Sequence, residues 1–180
     1  MKKICVFCGS SSGIDPKYIK HARDLGHSMA EKDLGLVYGG ASIGIMGAIA
    51  DGCMEAGGSV WGVIPKQIID LEVGHQGLQN LEVVDDMHIR KARMYELSDA
   101  FFALPGGMGT LDELCEIVTW AQLKYHKKPC YVINVDGFFD HLLRHFRHIN
   151  QQGFLSNEHL ALVKEFSTYE KALADFEAHY

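Results

Sequence analysis

The sequence predicts an α/β fold, a Rossmann-like doubly wound parallel sheet forming a single domain over residues 1–180. Three observations carry this. Short apolar runs alternate with helix-period segments along most of the chain. Those runs are near-continuous in apolar character, which suits strands buried on both faces of a parallel sheet. The length of 180 residues fits one domain of roughly 100–200 residues, and no internal repeat, low-complexity segment or linker divides it.

The elements follow in order. Ile4–Cys8 is the first strand, broken at Gly9, and Pro16–Glu31 the first helix. Leu36–Tyr38 runs into Gly39-Gly40 and is followed by a helix over Gly44–Ala56. Val60–Ile64 and Leu81–Val84 are the next strands, separated by the longest irregular stretch, Pro65–Asn80. A stretch of that size in a compact α/β domain is either a lid or pocket wall, or a surface connection with a short helix in it. His88–Leu97 is a helix with Asp86 as its N-cap. Phe101–Leu104 runs into a Pro-Gly-Gly turn, then a helix over Thr110–Leu123. Tyr131–Val135 is a strand and Phe138–Asn150 a helix, and helical patterns close the chain near Asn157–Lys164 and Tyr169–Ala178. Right-handed crossovers between such strands place helices on both faces of the sheet.

Composition narrows the function. Hydrophobic residues make up 47% of the chain, which excludes a disordered protein. The 17 Lys+Arg against 23 Asp+Glu give a net charge of -6, against the basic face that nonspecific nucleic-acid binding needs. No apolar run approaches the roughly 20 residues of a membrane span. The apolar stretch after Met1-Lys2-Lys3 is too short for a secretory leader, so the protein is expected in the cytoplasm with no membrane partner. Cys5 and Cys8 form a C-x-x-C, but inside a strand-like run and without a second pair. These two, with Cys53, Cys115 and Cys130, are expected to be buried, reduced packing residues. His141, His145 and His148 share one helix face; with no nearby Cys or third-segment carboxylate they are read as a partly solvated face, and no metal is expected. No Ser sits in G-x-S-x-G, which disfavours an α/β-hydrolase.

In an open parallel sheet, ligands sit beyond the carboxyl ends of the strands. Three turns there are rich in Gly: Cys8–Gly13, Tyr38–Gly47 and Leu104–Thr110. Glycine lets the backbone approach a ligand and present its N–H groups, and a following helix N-terminus favours an anion. None matches G-x-G-x-x-G well, the G-x-x-x-x-G-K-[ST] pattern is absent, and no acidic residue caps the second strand. A mononucleotide phosphate is therefore favoured over a dinucleotide, and a nicotinamide oxidoreductase is disfavoured.

Two further features carry chemistry. Thr110-Leu111-Asp112-Glu113 reads as a capping box, with Thr110 at N-cap and Glu113 folding back. Alternatively Glu113 reaches into a pocket floored by the Gly106–Gly109 turn, where a carboxylate would stabilise a cationic transition state or activate water. Glu116, one turn on, would support it. Arg90, Lys91 and Arg93 open a helix, where cations oppose the macrodipole. Either Asp85 and Asp86 offset them, or a bound phosphate or the Glu113 carboxylate does.

The motif Pro105-Gly106-Gly107-Met108-Gly109-Thr110-Leu111-Asp112-Glu113 resembles the P-G-G-x-G-T-x-x-E signature of the LOG ("Lonely guy") family. Met87-His88-Ile89-Arg90-Lys91-Ala92-Arg93-Met94 resembles its second signature, M-H-x-R-K-x-x-M. Cys8–Ser11, Tyr38–Gly40 and Trp120–Leu123 match as well, so the resemblance spans almost the whole chain. One departure is Ala41, where the family often has a third Gly; a positive φ there would be strained. The resemblance implies a phosphoribohydrolase that cleaves the N-glycosidic bond of purine nucleoside 5′-monophosphates, of the cytokinin or AMP type, releasing base and ribose 5-phosphate. It implies catalytic roles for Glu113 and Arg90. It implies substrate contacts from Gly9, Ser10, Ser11, Gly39, Gly40, Met87, Lys91, Gly106, Gly107, Gly109 and Thr110. It also implies a homodimer with active sites near the interface, and no metal or cofactor. The label "lysine decarboxylase" borne by many such sequences fits poorly. That chemistry normally needs a cofactor such as pyridoxal phosphate, whose Schiff-base Lys cannot be identified here. The rival reading is a non-catalytic carrier of a nucleotide or of the molybdenum cofactor, which would not need Glu113 together with the Arg90-Lys91 pair.

Overall fold

The computed structural model describes residues 1–69, 73–78 and 80–179. Among the described residues, seven strands form one sheet, and every strand pairing in it is parallel. In chain order the elements are β1 (Lys3–Phe7), α1 (Lys17–Glu31), β2 (Gly35–Tyr38), α2 (Gly44–Glu55), β3 (Val60–Pro65) and β4 (Asn80–Val84). They continue with α3 (Met87–Leu97), β5 (Ala100–Ala103), α4 (Met108–Gln122), β6 (Cys130–Ile133), α5 (Asp140–Gln151), α6 (Asn157–Leu160), β7 (Val163–Phe166) and α7 (Tyr169–His179). The strand order is β4-β3-β2-β1-β5-β6-β7. The chain thus winds outward from β1 to β4, returns through α3, and winds outward the other way. This is the expected doubly wound, Rossmann-like α/β architecture, with its winding reversal between β1 and β5.

Strand period 2 splits the core into two layers. Ile4, Val6 and Cys8 pack with Leu25, Ile49 and Phe176, under α1, α2 and α7. Cys5 and Phe7 pack on the other face with Met94, Leu114 and Leu143, under α3, α4 and α5. Cys5 and Cys8 therefore face opposite sides of the sheet. Burial pushes the Cys130 thiol up to about 12 and the Cys53 thiol up to about 11, as expected of inert packing residues. Cys115 departs from the expectation: it is exposed on α4.

The packing of α1 on α2 depends on two glycines. A Cβ on Gly26 would lie 2.3 Å from the Ile49 carbonyl oxygen, and one on Gly52 would lie 2.3 Å from that of Arg23. Both obstacles are backbone, which cannot swing aside. Gly26→Ala is therefore expected to destabilise the fold by about 1–3 kcal/mol through overpacking, although Ala is the better helix former by about 1 kcal/mol. Thermal unfolding should show a Tm lowered by roughly 2–4 °C for each kcal/mol; an unchanged or raised Tm would mean that the two helices can part without cost.

The C-terminal part corrects the sequence reading. The helix expected over Asn157–Lys164 is a single turn, α6, capped by the Ser156 hydroxyl accepting from the His159 N–H at 3.1 Å. The chain then forms β7, pairing with β6 at the sheet edge. Val135, expected to end a strand, instead begins a 3-10 turn, Val135–Gly137.

The Pro65–Asn80 stretch opens with a 3-10 turn, Lys66–Ile68. Residues 70–72 and 79 lie outside the described residues. The described remainder is tied to the second Gly-rich turn. Gly74 bridges Ala41, the Ser42 N–H donates to the Val73 carbonyl at 2.9 Å, and the His75 N–H donates to the Gly40 carbonyl at 2.9 Å. Nδ1 of His75 accepts from the Gly77 N–H at 3.2 Å, so Nε2 carries the proton and donates to Asp51 Oδ1 at 3.1 Å.

Candidate active site

A cavity of about 180 Å³ lies at the carboxyl ends of β1 and β5, where the winding reverses. This is where an open α/β sheet leaves a crevice between diverging crossovers. Gly9 and Ser10 line it from the end of β1, and Gly107, Met108, Gly109 and Thr110 from the start of α4. Gly39 and Met46 contribute from the second turn and α2, Arg90 and Met94 from α3, and Glu113 from α4.

The first and third turns touch through bare backbone. The Gly9 N–H donates to the Pro105 carbonyl at 3.2 Å. A Cβ on Gly106 would sit 2.1 Å from the Thr110 hydroxyl and 2.8 Å from the Gly9 nitrogen. The second turn buttresses the first. Gly44 adopts φ +63, and a Cβ there would collide with the Ser10 carbonyl. The Met46 N–H donates to the Gly9 carbonyl at 3.2 Å. Ala41 carries no positive-φ strain, because the positive φ angles of this turn fall on Gly40 (φ 81) and Gly44 (φ 63) and not on Ala41.

The capping-box reading is corrected. Helix α4 begins at Met108 with Gly107 as N-cap and no side-chain cap. Thr110 is therefore inside the first turn, buried against Gly106, and Glu113 is a full turn further in. The first residues of this 15-residue helix line the cavity, and the aligned peptide dipoles of a helix N-terminus favour an anion there.

The three cations of α3 go to three places. Asp86 caps the helix as expected, its Oδ1 accepting from the Ile89 N–H at 2.9 Å. Asp85 is drawn off by Lys66 at 2.7 Å. Arg93 pairs with Glu82 and Glu96 outside the site. Lys91 pairs with Asp112 and Glu116, each at 3.1 Å. Arg90 alone of the three lines the cavity. It is buried, with Nε donating to the Val63 carbonyl at 3.1 Å and Nη2 to the Gly39 carbonyl at 2.9 Å. Two main-chain oxygens thus fix the plane of the guanidinium. Below it, the Cys5 thiol is held well above its usual range, first by burial and then by the charge of the Glu113 carboxylate.

Of the residues singled out in the sequence, Gly9, Ser10, Gly39, Arg90, Gly107, Gly109, Thr110 and Glu113 line this cavity. Ser11 and Gly106 line an adjoining compartment of about 210 Å³, which shares Gly9, Ser10 and Gly107 with the first. Gly40, Met87 and Lys91 line neither. The adjoining compartment is walled by Tyr18 and Phe138, whose rings meet edge-on with centroids 5.7 Å apart. Tyr18 and Phe138 lie outside every motif singled out in the sequence, since an apolar residue on a helical pattern reads as core, while Met46 and Met94 lie inside such motifs without a role assigned to them. His141, His145 and His148 are exposed. Among the described residues, no group of three or more His, Cys, Asp and Glu could hold a metal ion, and no helix is long and apolar enough to cross a membrane.

The chain is 47% identical over 155 residues to cytokinin riboside 5′-monophosphate phosphoribohydrolase LOG7 of Arabidopsis thaliana, covering 86% of this chain and 71% of that protein. The chain belongs to the LOG family. Membership extends beyond plants. A cytokinin riboside 5′-monophosphate phosphoribohydrolase of Rhodococcoides fascians is 45% identical over 156 residues (86% and 79% of the two chains), and the LOG protein of Oryza sativa subsp. japonica 40% over 178 residues (99% and 74%). The family described as "Possible lysine decarboxylase" matches residues 46–176. Among solved structures, the X-ray structure of TM1055 superposes with a TM-score of 0.77 at 23% identity, covering 99% of both chains. A molybdenum-cofactor carrier protein of Chlamydomonas reinhardtii superposes with 0.73 at 20% identity, covering 98% and 96%. These two likenesses establish a shared fold, on which LOG-family and carrier proteins are both built.

Proposed function

We propose that this protein is a phosphoribohydrolase that cleaves the N-glycosidic bond of purine nucleoside 5′-monophosphates, cytokinin ribosides' among them, working in the cytoplasm as a homodimer. The observation that carries the reading is the convergence of Arg90 and Glu113, from two different helices, on a cavity whose rim is the open N-terminus of α4. The LOG-family relatives named for this activity support it. The 5′-phosphate is held by the α4 amides and the Gly9–Ser10 turn, and the ribose lies over Glu113. As the bond from C1′ to the base nitrogen breaks, its electron pair leaves with the base and positive charge builds on the ribose ring. The Glu113 carboxylate stabilises that charge and orients water; electrostatic groups fixed in advance are the most effective kind. The water oxygen bonds to C1′, and one water proton ends on the departing base. The products are free base and ribose 5-phosphate, with water the only co-reactant. Arg90, seated on the Val63 and Gly39 carbonyls, brings its positive charge to the cavity wall beside the base and the phosphate.

Incubation with AMP and, separately, with N6-isopentenyladenosine 5′-monophosphate tests this. Chromatography should find free base and ribose 5-phosphate in equal amounts from at least one of them. Tight binding with both nucleotides left intact would favour the carrier reading instead.

A further inference from the structure

Lys91 is set apart from the cavity that its neighbour Arg90 lines. Its side chain is only 11% exposed, and its ammonium sits between Asp112 Oδ2 and Glu116 Oε2 at 3.1 Å each. A buried ammonium needs such partners, because removing its hydration is costly unless charge and hydrogen bonds replace it. Glu116, itself 26% exposed, is held from a second side by the Tyr95 hydroxyl, which donates to its Oε2 at 2.5 Å. The Tyr95 ring in turn meets Trp120 edge-on, with centroids 4.8 Å apart. All these contacts run between α3, which supplies Lys91 and Tyr95, and α4, which supplies Asp112, Glu116 and Trp120.

The placement of this brace gives it meaning. Lys91 follows Arg90 directly, Asp112 precedes Glu113 directly, and Glu116 is three residues past Glu113, so on the same side of the helix. The two helices belong to crossovers that leave different strands, β4 and β5, which lie on opposite sides of β1 in the sheet. Nothing in the local sequence sets the distance between Arg90 and Glu113; contacts between elements do, those that seat Arg90 on the Val63 and Gly39 carbonyls and those that join α3 to α4. Burial works against the Lys91 charge, but the hydrogen bonds and charges of Asp112 and Glu116 outweigh it and raise the ammonium above the usual lysine range. Lys91 therefore stays charged throughout the neutral range.

Resting on the function proposed above, we infer that Lys91 is a positioning residue: with Glu116 it braces α3 against α4 and sets the gap between Arg90 and Glu113, and it does not bind the substrate phosphate. A ligand and a brace differ in what their loss does. Removing a phosphate ligand weakens anion binding. Removing a brace leaves the anion site at the α4 N-terminus intact and misplaces the reacting groups, and misplacement by about 1 Å can cost on the order of 10²-fold in rate.

The test uses Lys91→Met, Lys91→Arg, Glu116→Gln and the Lys91→Met/Glu116→Gln double variant, with calorimetric binding of ribose 5-phosphate and steady-state kinetics. A brace predicts that Lys91→Met binds ribose 5-phosphate within twofold of wild type while kcat falls at least tenfold. Lys91→Arg should recover much of that loss, and the double variant should be no worse than the more damaged single one. A tenfold or greater loss of ribose 5-phosphate affinity in Lys91→Met overturns the inference in favour of direct anion contact. So does an unchanged kcat, or full additivity in the double variant. Should Lys91→Met fail to fold, Glu116→Gln alone carries the same kcat-against-affinity comparison. If wild type releases no base, the proposed function fails by itself. In that case the ribose 5-phosphate measurement still decides whether Lys91 touches the anion, and coupling of the two substitutions in Tm decides whether the brace exists.

Discussion

Glu113→Gln is expected to lower kcat for base release from AMP by about 10²–10⁴-fold, the range spanned by positioned acid–base groups. The substitution keeps the shape of the side chain and removes its charge. The Gly107–Thr110 amides and the Gly9–Ser10 turn, which line the same cavity, are unaltered. Affinity for ribose 5-phosphate should therefore stay within a few fold of wild type. A loss confined to kcat marks a group that acts mainly in the transition state. Because Thr110 and not Glu113 packs against the Gly106 turn, and Gly107 is the N-cap, the helix start does not depend on this carboxylate, and α4 should form as in wild type. Undiminished turnover would remove Glu113 from the mechanism, and a large fall in Tm would return it to a structural role.

The second large effect is expected from Gly39→Ala. A Cβ at this position would lie 2.1 Å from Arg90 Nη2 and 2.8 Å from the Met46 sulfur. Both obstacles are ends of long side chains, which can move; the contrast with Gly26, where the obstacle is backbone, is instructive. Here function takes the loss and the fold is largely spared. The guanidinium must leave the Gly39 carbonyl and tilt away from the site. A displacement of that order predicts kcat/KM lower by roughly 10²-fold, with a Tm within a few degrees of wild type. Arg90→Lys should fare no better, since an ammonium cannot span the Val63 and Gly39 carbonyls as a planar fork does. Wild-type kinetics in Gly39→Ala would show that the exact seat of Arg90 is immaterial.

Much of this architecture was legible in the sequence, for identifiable reasons. The central strands are buried on both faces, so Ile4–Phe7 and Phe101–Ala103 appear as unbroken apolar runs. Strand β7 reads Val-Lys-Glu-Phe and lies at an edge, half-buried, so it has neither an apolar run nor a clean alternation. The helix-like residues before it drew the reading toward a longer helix. At α4, T-x-x-E matched a capping pattern while the true cap, Gly107, has no side chain by which to announce itself. The glycines, Arg90 and Glu113 were visible as motifs. Lys91 could not be separated from Arg90 by sequence, because adjacent residues on a helix point about 100° apart and only the packing of α4 says which one faces the cleft. Tyr18 and Phe138 come together from α1 and the turn after β6, a meeting that no local pattern encodes.

The return of the chain through α3 has a thermodynamic corollary. Strands β2 to β4 lie on one flank of β1 and β5 to β7 on the other, and the cavity draws Gly39 from the first flank and Gly107–Thr110 from the second. An occupant that touches both sides acts as a rivet between them. Its binding energy is then added to the cooperative unfolding of the whole molecule, by about 2.7 kcal/mol at a concentration of 100 Kd, so that a saturated protein should melt in one sharper, later transition.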